Sequence, residues 1–123
     1  MRDAASRALR ARRLRFEKTV RKVASTLPPA VQSALDNVAI VVEDSASPGS
    51  EVMFGLYEGI PVSERGSHYT LVAPDRIILY RQSLEGEYGE GAELERQIRV
   101  TLLHEIAHHL GLDEPEIEAM GLA

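Results

Sequence analysis

The chain has 123 residues, and its apolar fraction of 44% fits one packed globular domain and excludes a disordered chain. It has no cysteine, which excludes disulfides, thiolate metal sites and a cysteine nucleophile, and which fits a reducing cytosol. The net charge of −5 combines a basic N-terminal stretch with an acidic remainder.

The first 22 residues carry nine of the 14 basic residues of the chain, against two acidic ones. Residues 1–12 are predicted to form a flexible basic arm, because chain termini often lack fixed contacts. A basic arm is able to contact phosphates, but basic stretches are weak evidence of nucleic-acid binding. We therefore do not expect nucleic acid as a partner.

The basic N-terminus is not followed by an apolar segment, and no run of 18 apolar residues occurs in the chain. A secretory signal peptide, a membrane span and a membrane partner are therefore not expected. We predict a cytoplasmic location.

Residues 13–123 are predicted to form a single domain. An amphipathic helix is predicted over 13–26, ending before two prolines, with a short helical turn within 29–36. Segments rich in β-branched or aromatic residues predict strands or extended chain at 38–42, 52–57, 68–72 and 76–80.

The C-terminal part of the chain is predicted to be helical. A glycine- and glutamate-rich loop at 86–91 precedes a long helix over 92–110, which Gly111 ends. Pro115 is predicted to open a final short helix that runs to about residue 120. Strands flanked by helices in this order indicate the α+β class rather than repeated βαβ units.

The long helix contains His104-Glu105-Ile106-Ala107-His108, the HExxH pattern. Residues four apart share one helix face, so both imidazoles are able to bind one ion. Neutral imidazole suits zinc, which predicts one Zn²⁺ ion as cofactor. Glu105 is predicted to be the general base for a metal-bound water, whose pKa zinc lowers toward about 7.

Zinc needs a third protein ligand, and two carboxylates follow the helix closely. Gly111 allows a sharp turn that returns the chain toward the ion, so either Asp113 or Glu114 is chemically suitable. His109 points about 100° away from His108, toward the core. We interpret it as a packed residue, or as one that contacts a ligand side chain, rather than as a ligand.

Four other side chains have an alternative catalytic interpretation. The hydroxyls of Tyr57 and Tyr80 could donate to an oxyanion, although packed tyrosines at strand ends are the favoured interpretation. Arg81 could bind a substrate carboxylate, although a surface ion pair is favoured. His68 is interpreted as a solvent-facing strand residue rather than a further ligand.

The chain resembles the minimal zincin-like metallopeptidase family of small bacterial proteins, and its helix motif resembles the metzincin pattern HExxHxxGxx followed by His or Asp. Three stretches carry the resemblance: GLYEGIP at 55–61, RIILYR at 76–81 and HEIAHHLGLDE at 104–114. The resemblance implies a compact α+β fold, in which a small mixed β-sheet packs on the active-site helix, with N-terminal and C-terminal helices.

By motif register, the resemblance implies His104, His108 and Glu114 as metal ligands and Glu105 as the base. Glutamate takes the last position of the motif, and no clear Met-turn follows it. We predict a monomeric zinc metallopeptidase that hydrolyses peptides or unfolded protein segments. The alternative is a non-catalytic, metal-stabilised binding module with a nucleic-acid-contacting arm, because so short a chain leaves little material for a second lobe around the cleft.

Overall fold

The computed structural model describes residues 2–46, 52–59, 75–113 and 115. In chain order its elements are α1 (Arg2–Ser25), α2 (Pro29–Ala34), β1 (Val38–Glu43), β2 (Gly55–Glu58), β3 (Asp75–Tyr80), α3 (Arg81–Tyr88) and α4 (Ala92–His109). Helices therefore precede and follow the strands, which confirms the predicted α+β class. Within the described residues, no helix is both long and apolar enough to pass through a bilayer.

The three strands form one mixed sheet in the order β1-β3-β2. The central strand β3 runs parallel to β1, with Val38 opposite Asp75, and antiparallel to β2, with Gly55 opposite Leu79. All residues of β3 except Arg76 are buried, as expected for a strand with neighbours on both sides. The small mixed sheet that the family resemblance implied is confirmed.

The core lies between the sheet and the helices α1 and α4. Both helices contribute apolar residues at spacings of three or four, so that each helix buries one face. The central residues of this cluster are Phe16, Val20, Val23, Ile77, Leu79, Leu84, Leu94, Ile98, Leu102 and Ile106. The core face of α4 is thereby fixed against the sheet, which sets the direction of its remaining faces.

The helix α1 begins at Arg2, so the predicted start at residue 13 was wrong. Residues 3–15 are exposed, and the buried face of α1 begins only at Phe16. Residues 2–12 are rich in Ala and Arg, which have high helix propensity, so the helix extends beyond its buried face. Whether residues 1–12 are flexible stays a prediction.

The helix α3 occupies residues where the sequence predicted the start of a loop. Leu84 and Arg81 bury its inner face, and Gly89, at φ +74°, ends it. The sequence predicted a loop because Gly86 and the glutamates around it are typical of loops, and a single leucine, Leu84, did not indicate a helix with a buried face. The predicted strand at 68–72, and the predicted helix beyond Pro115, lie outside the described residues.

Candidate metal centre

The helix α4 places the imidazoles of His104 and His108 next to each other. Their ring centroids are 5.0 Å apart and the ring planes meet at 74°. With Zn–N bonds of about 2.0–2.1 Å and tetrahedral angles, two imidazoles on one ion have ring centres about 5.2 Å apart. The two side chains therefore fit the spacing that a shared zinc ion requires.

Glu105 is bound to the second of these histidines. Its Oε1 lies 3.0 Å from Nδ1 of His108, and Glu105 is only 8% exposed. In the tautomer whose Nδ1 donates in this bond, Nε2 of His108 presents a lone pair, the form in which imidazole binds a metal. The second carboxylate oxygen of Glu105 keeps the capacity to accept from a water molecule.

The strand β2 approaches α4 closely beside Glu105, at Gly55. A Cβ atom on Gly55 would lie 2.7 Å from Cγ2 of Thr101 and 3.5 Å from Cγ of Glu105. The hydroxyl of Thr101 donates to the backbone oxygen of Gln97 at 2.8 Å, which turns its methyl group toward the strand. A larger residue at this position would force the side chain of Thr101, or the strand against the helix, to shift. The sequence analysis quoted Gly55 within the family resemblance but gave it no role of its own.

Behind the metal-facing side of α4, a buried network joins the helix to the sheet. Asp75 Oδ2 accepts from the hydroxyl of Tyr57 at 2.6 Å and pairs with Nδ1 of His109 at 2.9 Å. Asp75 is 2% exposed and His109 is 5% exposed. The prediction that His109 is a packed residue is confirmed. The sequence analysis gave Asp75 no role, because nothing in the sequence indicates that a carboxylate at a strand start is buried.

The C-terminus of α4 has the geometry that the sequence predicted. Gly111 has φ +78°, its N–H donates to the oxygen of His108, and the N–H of Leu112 donates to that of Ala107, both at 2.9 Å. This pair of bonds is the Schellman motif, which ends a helix and reverses the chain direction. The turn that the third-ligand prediction requires is therefore present.

The third ligand itself is not brought to the histidines by the part of the chain that the structure describes. Within residues 2–46, 52–59, 75–113 and 115, no group of three or more His, Asp or Glu side chains is arranged to hold a metal ion. Asp113 is exposed, and Glu114 lies outside the described residues, as does His68. Two of the three predicted ligands are thus placed together, and the choice between Asp113 and Glu114 stays a prediction.

Tyr80 and Arg81 lie away from this centre. Tyr80 alternates with Leu79, which packs toward the helices, so its side chain lies on the other face of the sheet. Burial raises the pKa of Tyr80, and the carboxylates of Glu43 and Glu58 add to this effect. The hydroxyl of Tyr57 is bound to Asp75, and Tyr80 lies on the other face of the sheet. Neither tyrosine therefore supports the oxyanion interpretation.

Arg81 forms an ion pair, as predicted, but the pair is buried rather than on the surface. Its side chain is 3% exposed and donates to Asp44 at 3.1 Å and to Glu85 at 2.6 Å. Asp44 also accepts from Arg13 of α1, and this hydrogen bond is the main cause of its lowered pKa. The network joins α1 and α3 to the loop that follows β1.

Comparison with known proteins gives two findings. A family model described as zincin-like metallopeptidase matches residues 35–122, which include β1 to α4 and the HExxH motif. The chain is also similar to a solved structure, a conserved hypothetical protein from Thermo thermophilus, with 29% identity and a TM-score of 0.53. That match covers 78% of this chain and 91% of the other. A search of curated proteins found no match.

Proposed function

Because the chain belongs to the zincin-like metallopeptidase family, we propose that it hydrolyses peptide bonds at a zinc centre held by His104 and His108. The observation that supports this most directly is the pair of imidazoles, 5.0 Å apart on one helix, beside a buried carboxylate. Chance placement of two histidines on a solvated helix face does not account for the burial of Glu105 between them.

A zinc ion held by His104 and His108 would supply Lewis-acid chemistry for the attack of water on the peptide carbonyl. Glu105 would take a proton from the attacking water and later give it to the leaving amine. Its low exposure limits access of bulk water, and its bond to His108 holds the carboxylate in place. Asp75 orients the helix through His109, one residue beyond the second ligand.

We propose Glu114 as the third ligand, with Asp113 as the alternative. The Schellman turn at Gly111 supports a chain reversal immediately before both carboxylates. The zinc affinities of the variants Glu114→Gln and Asp113→Asn show which of the two carboxylates is the ligand. The variant that lacks a true ligand should bind zinc at least about tenfold more weakly, whereas the other should keep its affinity.

The experiment that tests the proposal combines elemental analysis with peptide cleavage. The purified protein should contain one zinc ion per chain, and His108→Ala should lose it. Glu105→Gln should retain zinc and lose cleavage activity by about 100-fold or more. Glu87→Gln is the matched control, because Glu87 is an exposed glutamate on α3, outside this centre. Cleavage by Glu105→Gln at the rate of the control would contradict the role of Glu105.

One observation favours a second candidate, a metal-stabilised binding module without catalysis. The exposed face of α1 presents Arg7, Arg10, Lys18 and Arg21 within a narrow arc opposite its buried face. In this case, metal removal should lower the melting temperature, yet no peptide in a library should be cleaved. An arm that binds nucleic acid should also lose affinity steeply as salt rises, so an affinity independent of salt would exclude that variant.

A further inference from the structure

The helix α1 carries nine basic residues, and some of them contact the acidic remainder of the chain. Arg13, Arg15 and Lys22 form ion pairs with carboxylates of the loop after β1, of the connection between α3 and α4, and of α4 itself. These three side chains join α1 to the body of the molecule. Their charges are balanced there, so they contribute little to a surface for a partner.

Four further basic residues lie on the side of α1 opposite its buried face, and we call them the outward face: Arg7, Arg10, Lys18 and Arg21. At about 100° and 1.5 Å per residue, they fall within an arc of about 80° and span about 21 Å along the helix axis. All four are exposed, and none of them forms an ion pair or a side-chain hydrogen bond with another residue that the structure describes. The outward face is therefore a row of cations without bonded carboxylates.

The negative charge of the chain does not cancel this row. Of the two acidic residues of α1, Asp3 lies at the first turn and Glu17 lies about 20° beyond the margin of the arc. The body packs on the other side of α1, at Phe16, so a helix diameter of about 10 Å lies between the body and the outward face. Physiological salt screens charges beyond about 8 Å, and the row keeps its positive potential.

Exposed cations without an apolar centre favour a polyanion over a protein or a membrane as partner. Exposed ion pairs with single carboxylates contribute little, and stable protein interfaces have an apolar core. Among the described residues of α1, only Leu14, at 52% exposed, adds a large apolar group to the arc, which is also too little for insertion into a membrane. A nucleic acid instead releases condensed counterions for each phosphate that a cation neutralises.

The shape of α1 favours duplex DNA among the nucleic acids. Single strands bind largely through bases stacked on aromatic rings, and the one aromatic residue of α1, Phe16, is 1% exposed. The major groove of B-form DNA, about 12 Å wide, admits an α-helix of about 10–12 Å, whereas that of A-form RNA is narrow. Every residue from 3 to 15 is exposed, so this half of α1 is accessible to such a groove.

The outward face lies apart from the metal centre. The ion pairs of Arg15 with Glu90 and of Lys22 with Glu95 place α1 beside the N-terminal end of α4. From Glu95, α4 rises roughly 13 Å before it reaches His104. A molecule bound along α1 therefore leaves the two histidines accessible.

We propose that the outward face of α1 binds duplex DNA through its phosphates. The sequence alone did not favour nucleic acid, because basic residues next to an acidic body often pair with it. Three of the nine basic residues do so, and the outward face does not. This binding goes beyond the peptide hydrolysis proposed above and does not depend on it.

The test is fluorescence anisotropy of a labelled DNA duplex of about 20 base pairs, roughly twice the length of α1. The full chain is titrated at salt concentrations from about 50 to about 200 mM, with and without chelator. Contact with four phosphates gives a slope of log K against log salt of about −3.6, so affinity should fall roughly 100-fold across this range. Chelator should leave the affinity unchanged, because the outward face lies apart from the metal centre.

Two double variants with the same change in net charge distinguish the outward face from the charge of the whole protein. Arg7→Gln with Arg10→Gln removes half of the row, so binding at low salt should weaken at least about tenfold and the slope should become about −1.8. Arg76→Gln with Arg96→Gln is the matched control, since both arginines are exposed and ion-paired outside α1. The control should bind as the wild type does, and circular dichroism should show that both variants are folded.

Amide hydrogen exchange gives a second measurement that needs no variant. The DNA duplex should slow exchange over residues 2–12 and leave the buried residues of α4 unchanged. No duplex binding at low salt, an affinity independent of salt, no added protection in α1, or equal weakening in the control variant overturns the proposal. Tighter binding to single-stranded DNA or duplex RNA of the same length, or binding to phosphatidylglycerol vesicles without binding to the duplex, also overturns it.

Discussion

Replacing Asp75 by alanine tests the buried network that joins α4 to the sheet. Among the described residues, the substitution removes the acceptor of the hydrogen bonds from the hydroxyl of Tyr57 and from Nδ1 of the buried His109. An unsatisfied polar group at His109 costs about 1–3 kcal/mol, and loss of the bond to the half-buried Tyr57 adds about 0.5–1.5 kcal/mol. We expect the free energy of unfolding to fall by about 1.5–4.5 kcal/mol, a large part of the roughly 5–15 kcal/mol of a small domain.

The assay is urea unfolding followed by far-ultraviolet circular dichroism, since the chain has no tryptophan. Chelator is present throughout, so that metal binding does not contribute to stability. Asp36→Ala, at an exposed aspartate, is the control and should change stability by no more than about 0.5 kcal/mol.

A double-mutant cycle makes the same test more specific. Tyr57→Phe should destabilise the wild type but have little further effect once Asp75 is alanine, which gives a coupling energy of about 0.5–3 kcal/mol. If Asp75→Ala matches the Asp36→Ala control, or the effects at Tyr57 and Asp75 simply add, the argument for the network is refuted.

Three further predictions follow from other features. Gly111→Ala should lower the free energy of unfolding by about 1–2 kcal/mol, because its φ of +78° strains an L residue. Gly86→Ala, within α3, should leave the free energy of unfolding unchanged or raise it. Equal urea midpoints for the two variants would contradict this prediction. The hydrogen bond from Arg13 lowers the pKa of Asp44 in the folded protein, so the ionised carboxylate contributes to the free energy of unfolding. This contribution is complete above the unfolded pKa of about 3.9 and is lost as pH falls through the lower folded pKa. The stability difference between wild type and Asp44→Asn should therefore shrink from pH 6 to acid pH, and a constant difference would argue against it. Amide hydrogen exchange should be fast over residues 2–12 and slow in the buried half of α1; protection throughout would disprove a mobile arm.

The sequence predicted those parts of the fold that follow from local chemistry. The β-branched run at 38–42 and the apolar run at 76–80 form neighbouring strands, and the HExxH segment lies on a long helix that ends at Gly111. Each of these signals depends on a few adjacent residues, so the signals can be read without knowing the tertiary structure.

The missed features depend on contacts between segments far apart in the chain. The burial of Arg81 requires Asp44, which lies 37 residues earlier, and the burial of Asp75 requires His109, 34 residues later. The length of α1 was missed for another reason, because residues 3–15 are exposed and show no apolar face that indicates a helix, so that part of α1 depends mainly on helix propensity. A cavity of about 300 Å³ beside Glu105 is lined by residues of β2, α3 and α4, and no sequence pattern indicates that these elements meet.

The neighbours His108 and His109 point about 100° apart, one toward the metal-binding side and one toward the sheet. At a radius of about 6 Å from the helix axis, a rotation of α4 by about 10° displaces an imidazole by about 1 Å. A site tolerates about 0.5 Å of such error before its geometry becomes unproductive. The bond from His109 to Asp75 therefore opposes rotation of α4 about its own axis, and the sheet in this way sets the angle at which the helix presents His104 and His108.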